Sequence, residues 1–437
     1  MHLQRIQVPD FRVLKDVDIT FENEFIPSIF PIGSLNGGGK STLLQLIFVL
    51  LHCSMELDRI EFIKNMLDGL KIYDNHQKRV LAIVDIWHEN KTVRIEFSLY
   101  KESYFGTNLS QAESNKTEDF YVVNFSCLEK IQKLKAELSK KKELQRKSEK
   151  FLDELQKLEN EYKDLENASL EILQHLQSEE LIYIGNYSAN KNKEEKEALL
   201  CKVDNVDVTE AEFFLKELSK KVFLTAPATQ VFLFLPKKTR KLLFRNQMSE
   251  FHYYTSESYS SNVETTKSQL PGFFTYDFLP VDLLVESFKA ARDKDFREAI
   301  ETGEYGNNYK KLIEELNFIL LNKKINLDLD FSGINFKLNR DGDNIELQPE
   351  DLSHGELKRL SIYMWMKYHN IENSIVLMDE IEIAFHPDWQ YQIISDLQQW
   401  APSNQYILAT HSYELCQALT PSHVKELEPK LLKQEAQ

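Results

Sequence analysis

Cysteine is scarce in this chain, and its placement excludes two architectures. The four cysteines in 437 residues (Cys53, Cys127, Cys201, Cys416) lie far apart with no CxxC pair, so neither a disulfide framework nor a zinc knuckle is indicated and a reducing compartment is expected. Long apolar runs are missing too. The longest, Leu43 to Leu51, is interrupted by Gln45 and falls short of the roughly 18 residues of a membrane span. The opening MHLQRIQVPDF carries a charge and a proline where a secretory signal has its apolar segment, so a cytoplasmic protein with no membrane partner is expected. With 13 Gly and 12 Pro the chain is not collagen-like or low in complexity. An excess of positive charge is also lacking: 53 Lys and Arg face 69 Asp and Glu, a net charge of −16. The whole molecule therefore repels nucleic acid, and any DNA contact must use a local basic patch.

What is present is uneven along the chain. Residues 1–125 alternate strand-like runs (LQRIQV, VDITF, RVLAIVDIW, TVRIEFSL) with one apolar helix, a mixed α/β pattern, and end in a polar loop expected from Lys101 to Thr117. Residues 126–182 read as a helical, coiled-coil-like insertion, because Leu128 to Gln177 has no Pro or Gly and its apolar residues recur at three- and four-residue steps. The rhythm falters between Ser139 and Glu149, where a two-armed hairpin can turn; a single continuous helix is the alternative. Residues 183–322 form a mixed connecting segment. It is entered by the polar stretch Asn186 to Glu197, with a buried strand expected at Val231 to Leu235, a loop at Ser256 to Ser268 and a helix at Val281 to Asp293. Residues 323–437 return to strands (INLDLDF, INFKLN, IEL around a turn at Asp341 to Asn344), then a helix and the strand Ser374 to Met378.

The chemistry lies in the two end segments. Asn36-Gly37-Gly38-Gly39-Lys40-Ser41-Thr42 sits between a strand-like run and an apolar helix. Successive glycines turn backbone N–H groups onto phosphate oxygens, Lys40 adds a positive charge at the terminal phosphates, and Ser41 offers a hydroxyl to Mg²⁺. The helix N-terminus points the same way. The usual spacing asks for a glycine where Ser34 stands, and Pro31 lies inside the preceding strand. Far along the chain, Ser374 to Met378 runs into Asp379 and Glu380, one carboxylate suited to the Mg²⁺ shell and the next to polarising a water. Leu352-Ser353-His354-Gly355-Glu356 precedes that strand. On its own it reads as a capped helix start, with Ser353 as cap and Glu356 closing the box. Thr410-His411-Ser412 follows the apolar run Gln405 to Ala409.

The order GGGKST, LSHGE, apolar-DE, ATHS resembles the ABC-type ATPase heads, whose signature is usually LSGGE and whose switch histidine follows a terminal strand. The start IQVPDFRVLKDVDITFE and the segment DEIEIAFHPDWQ are similar to RecF, SMC and OLD-family heads. The resemblance covers about Met1 to Tyr100 and Glu350 to Glu414. It implies an α/β P-loop ATPase head of two lobes, discontinuous in sequence, with an inserted helical coiled coil. ATP and Mg²⁺ are the implied cofactors. The implied site comprises Asn36 to Thr42 for nucleotide, Ser41 and Asp379 for metal, Glu380 as base or water-orienting group, and His411 at the γ-phosphate. Because Ser353, Gly355 and Glu356 would cap nucleotide held by a second copy, a head-to-tail homodimer with two composite sites is implied. A linking glutamine is expected in such heads, and Gln77 is available for it.

About 25 residues follow His411, too few for a C-terminal nuclease domain of the OLD type, and no other nuclease constellation is evident. In this the chain looks most like the ATPase subunits of bacterial anti-phage systems of the Septu PtuA kind, which implies a separate HNH-type nuclease as partner. The PARIS defence ATPases, a RecF- or SMC-like DNA clamp and a weakly hydrolysing nucleotide-switched scaffold stay open as alternatives. Lys237, Lys238, Arg240 and Lys241 form the better candidate patch for DNA or a partner; the lysines at 140–142 read as a solvated helix surface.

Overall fold

Two six-stranded sheets are joined through the apolar helix that follows the glycine-rich turn. A computed structural model describes residues 1–427 except 74, 106–124, 144–148, 188–195, 205, 237–238, 241–263, 277–280, 329–332 and 341–342. The first sheet is antiparallel, in the order β2-β1-β4-β5-β7-β6. Its strands are β1 His2–Phe11, β2 Leu14–Thr20, β4 Lys78–His88, β5 Lys91–Lys101, β6 Leu181–Tyr187 and β7 Glu197–Val203. The second runs β15-β3-β14-β13-β8-β9, all pairs parallel. It comprises β3 Ile29–Gly33, β8 Val222–Ala226, β9 Phe273–Thr275, β13 Ile375–Asp379, β14 Gln405–Ala409 and β15 Lys425–Glu426. A small antiparallel sheet holds β10 Lys323–Leu327, β11 Ile334–Arg340 and β12 Asp343–Leu347.

Burial follows the two-residue period of strands. On the parallel sheet Phe30, Ile32, Leu224, Leu377 and Ile407 point to one core, shared with helices α1 (Lys40–Cys53), α2 (Ile60–Leu67) and α6 (Val208–Ser219) and the antiparallel sheet. Ile29, Val376, Met378, Tyr406 and Leu408 point to a second core. That core is filled by α7 (Val281–Thr302), α8 (Asn308–Ile319), α9 (His354–Tyr368) and α10 (Pro387–Trp400). Strands buried on both faces read as near-continuous apolar runs, which is why SIVLM and QYILA stand out in the sequence.

Pro31 is tolerated for a simple reason. Tyr406 N–H donates to Ser28 O and Thr410 N–H to Ile32 O, so the even-numbered residues of β3 bond toward β14. Pro31 faces the other side, where β15 begins only opposite Ile32, and its missing N–H costs no ladder bond.

The helical insertion consists of α3 (Phe125–Glu143), α4 (Glu149–Ala168) and α5 (Leu170–Ser178). Lys141 pairs with Glu154 at 3.4 Å and Lys142 with Glu159 at 2.9 Å. One continuous helix would separate residues 13 positions apart by about 20 Å, so α3 and α4 lie side by side. Phe125, Leu128, Ile172 and Leu176 seat the insertion on Tyr100, Ala198 and Leu200 of the antiparallel sheet.

Several expectations for the middle of the chain need correction. Segment 183–322 is shared between sheets, since β6 and β7 complete the antiparallel sheet while β8 and β9 extend the parallel one. Both ends of the polar stretch Asn186 to Glu197 belong to strands. Val231 to Leu235 is no strand: residues Ala228–Phe234 form a 3-10 helix, and the strand lies just before it, in β8, where Pro227 ends it. Residues 264–268 of the expected loop are helical. Most of the Lys101 to Thr117 loop, and Asp341-Gly342 of the expected turn, lie outside the described residues. Asp343 and Asn344 already belong to β12. Among the described residues no helix is long and apolar enough to cross a membrane.

Candidate functional site

Parallel α/β sheets present their ligand sites at the carboxyl ends of the strands, and here three such ends meet. The turn after β3 carries Ser34 to Gly39. Gly37 and Gly39 take left-handed φ values of 79° and 94°, open to glycine at little cost. A Cβ on Gly39 would also stand 2.6 Å from the Leu14 side chain. Gly39 is the residue before α1, so the helix begins at Lys40 with its first N–H groups facing the turn. Asn36 is exposed at the tip, while Ser41 and Thr42 are half-buried in the first turn of α1.

Ser34 has no positive φ, so the glycine of the usual pattern is not required by backbone shape. Lys40 Nζ instead donates to Ser34 O at 3.2 Å and Ser34 Oγ at 3.1 Å. A Cβ on Gly38 would collide with Ser34 Oγ, so the neighbouring glycine makes room for the serine.

β13 and β14 align Asp379 with Ala409, and Glu380 N–H donates to Ala409 O at 2.9 Å. Asp379 is buried, and Ser41 Oγ donates to its Oδ1 at 3.0 Å. Its Oδ2 is buried with no hydrogen-bond partner. Burial pushes the carboxyl up to about 7; the Ser41 bond works against that rise, Glu380 and Glu382 add to it, and Lys40 opposes it. Desolvation likewise lowers the Lys40 ammonium, against the attraction of Asp379, Glu382 and Glu380. Lys40 Nζ lies 2.9 Å from His411 Nε2.

Glu382 belongs to this cluster and is absent from the motif-based set. It is 9% exposed; Oε1 accepts the His411 N–H at 2.7 Å and Oε2 is buried without a partner. Its only sequence signal is position, two residues past Glu380 in a loop that already held two acids. A second omission is Gln230. β8 lies beside β13 with Thr225 opposite Met378, so Gln230 follows the same strand end, and its Oε1 accepts from Gln45 Nε2 at 2.5 Å. Gln45 is one helical turn beyond Ser41 on α1 and shares its face. Gln77, by contrast, is exposed, and its side chain accepts from Ser103.

Ser353, Gly355 and Glu356 open α9 in a complete capping box: Ser353 Oγ accepts Glu356 N–H at 3.3 Å and Glu356 accepts Ser353 N–H at 2.9 Å. Ser353 is exposed. Among the described residues no hydrogen bond joins this triplet to residues 34–42 of the same chain. Gly355 instead fits against the loop after Glu380, where a Cβ would stand 2.8 Å from Ala384 O.

Of the expected basic patch only Arg240 lies among the described residues. Lys237, Lys238 and Lys241 lie outside the described residues. Arg240 points inward and donates from Nη2 to Asn65 O at 3.2 Å. Lys140, Lys141 and Lys142 each pair with an acidic residue.

A hard divalent cation held by nucleotide phosphates needs one or two protein oxygens and otherwise water. The Ser41 hydroxyl and the unpartnered Asp379 Oδ2 supply oxygens of that kind, so the residues fit Mg²⁺.

Comparison with known proteins shows an ATPase family. The profile of the family AAA_15, described as an AAA ATPase domain, matches residues 1–416. A protein named retron Ec83 probable ATPase, from Escherichia coli, is 28% identical over 133 residues, which are 28% of this chain and 24% of that protein. The Septu protein PtuA of Bacillus mycoides (strain KBAB4) is 30% identical over 163 residues, 36% of this chain and 21% of the relative. The chain thus spans about a quarter or less of the length of the curated relatives it matches. A solved SMC head bound to the C-terminal winged-helix domain of ScpA aligns over 96% of this chain and 92% of its own, with 9% identity and a TM-score of 0.40.

Proposed function

The chain belongs to the AAA_15 family of AAA ATPase domains, and from that premise we propose that it binds and hydrolyses ATP between two copies of itself, as the ATPase subunit of a bacterial anti-phage defence complex. The observation that carries the catalytic part is the bond from Ser41 to Asp379 beside the contact of Lys40 with His411. Residues from three strand ends, far apart in sequence, converge on one point with a phosphate-shaped turn.

In this reading the N–H groups of Asn36 to Thr42 receive the phosphate oxygens, and Lys40 moves its ammonium from Ser34 to the terminal phosphates. Bound Mg²⁺ would neutralise phosphate charge; Ser41 and Asp379 are the residues to hold it. Glu380 orients the attacking water and accepts its proton, while His411, steadied through its N–H by Glu382, sets a hydrogen bond at the γ-phosphate. Gln230 is the favoured linking glutamine, because Gln45 ties it to the metal-side face of α1.

Two features support a second copy. Ser353 stands exposed at the start of α9, a helix N-terminus suited to phosphate, and among the described residues it makes no hydrogen bond to its own chain's turn. The similarity to a Septu protein and a retron ATPase supports the defence role, and the proposed partner is a separately encoded HNH-type nuclease. The test is to isolate the tagged chain from its own operon with ATP and to weigh and identify what accompanies it. A stoichiometric nuclease is expected; a homodimer alone that binds DNA in an ATP-dependent way would overturn the nuclease partnership in favour of a DNA clamp.

A further inference from the structure

Outside the residues already assigned, one charged group stands in direct contact with the loop that carries Glu380. Lys358 lies on α9, one turn beyond Gly355, and is only 4% exposed. Its Nζ donates to Glu380 O at 3.0 Å and to Ile383 O at 3.1 Å. The same ammonium sits 3.8 Å above the Tyr276 ring and 5.4 Å from the centre of Phe385. A buried ammonium is costly unless main-chain or aromatic dipoles surround it, so this arrangement fixes both the lysine and the carbonyls it holds.

Those carbonyls belong to an unusual stretch. Glu380 and Ala384 have φ values of 52° and 70°, a region that non-glycine residues rarely occupy and that persists where surrounding contacts over-determine it. Lys358 grips the loop at its first residue and again at Ile383. Gly355, on the same helix, closes against Ala384 O. The start of α9 and the direction in which Glu380 leaves β13 are therefore parts of one packed unit.

We infer that Lys358 is a positioning residue for hydrolysis, which fixes the Glu380 main chain and ties the orientation of its carboxylate to the start of α9. This rests on the reading in which Glu380 orients the attacking water. Contact of Ser353 and Gly355 with nucleotide in the facing copy would then be felt at the Glu380 of the same chain, because Lys358 spans the two.

The experiment compares the full-length protein with Lys358→Met and, separately, Glu380→Gln, measuring ATP affinity with a fluorescent analogue, kcat, and thermal midpoint. Lys358→Met is expected to lower kcat by about 10- to 100-fold, the scale of a small misplacement of a catalytic group, with affinity changed less than about twofold. Unchanged kcat, or equal losses in affinity and kcat with a fallen midpoint, would overturn the inference. If Lys358→Met does not fold, Lys358→Gln, whose shorter side chain loses the pair of bonds to Glu380 O and Ile383 O, is expected to give the same separation of kcat from affinity; wild-type turnover there would overturn it. Should Glu380→Gln keep full turnover, the reading of Glu380 fails and this inference falls with it, whatever Lys358→Met does.

Discussion

Lys40 and His411, 371 residues apart in sequence, meet with Nζ 2.9 Å from Nε2. An ammonium can only donate, so Nε2 is the acceptor in this contact. Loss of the ring in His411→Ala removes this restraint but not the phosphate turn. The expected result is ATP affinity within about threefold of wild type and kcat reduced on the order of 100-fold, the scale of one lost charge-stabilising donor. Equal losses in both would place His411 in binding alone.

Lys40→Ala takes away the positive charge aimed at the terminal phosphates. Affinity for ATP should fall by at least about tenfold, measured by calorimetry, and a bacterial strain carrying the variant should lose phage resistance. Full resistance with no ATP binding would separate defence from nucleotide.

Asp379 sets a pH dependence whose sign can be worked out. Its carboxyl, raised to about 7 by burial, binds a proton in the folded state that the unfolded chain releases near pH 4. The contribution to stability is fully present below about pH 4 and is lost as pH rises through about 7. Without nucleotide or metal, the thermal midpoint should therefore fall across that interval, and Asp379→Asn should flatten the change. Mg²⁺ requires the ionised carboxylate, so Mg²⁺-dependent ATP binding should strengthen as pH rises from 6 to 8. A flat profile in both measurements would contradict the raised value.

Arg240 was expected at a DNA-facing patch, yet it donates to Asn65 O, and Asn65 Nδ2 in turn donates to Phe234 O. Arg240→Glu should cost about 2 kcal/mol of stability, the scale of a lost hydrogen bond to a charged group, read as a shifted urea midpoint. Salt-dependent DNA binding that weakens in this variant with no loss of stability would restore the patch.

The site was legible where chemistry demands a rare local pattern. GGGKST, the apolar strand ending in Asp379-Glu380, and Ser353 with Glu356 each announce a backbone shape or a cap from adjacent residues. Glu382 and Gln230 were not legible, because nothing local distinguishes a buried acid two residues past another, or a glutamine after a proline, until the strands bring them to His411 and Gln45. The same holds for the fold. VFLFL carries more apolar residues than the neighbouring VFLTA, but Pro227 separates them and pairing with β13 selects the first five residues, 222–226, as the strand. The strands flanking the polar stretch near 190 were hidden for a similar reason: β6 and β7 are defined by pairing with β5 and each other, not by a periodicity that survives the intervening charges. Ser34 looked like a departure from the phosphate-loop pattern, and the structure accommodates it through Lys40 and Gly38.

The central claim is that ATP is enclosed by two copies, with Glu380 required to release them. The most direct measurement is the solution mass of Glu380→Gln by light scattering, with and without Mg²⁺ and ATP, alongside the same variant carrying Ser353→Arg, which places a bulky side chain at the start of α9. The account predicts that Glu380→Gln binds ATP, fails to turn it over and shifts to an assembly with one further copy per ATP-bound face, and that Ser353→Arg abolishes the shift while leaving ATP binding intact. A mass that does not respond to ATP, in a variant shown to bind it, would contradict the composite site.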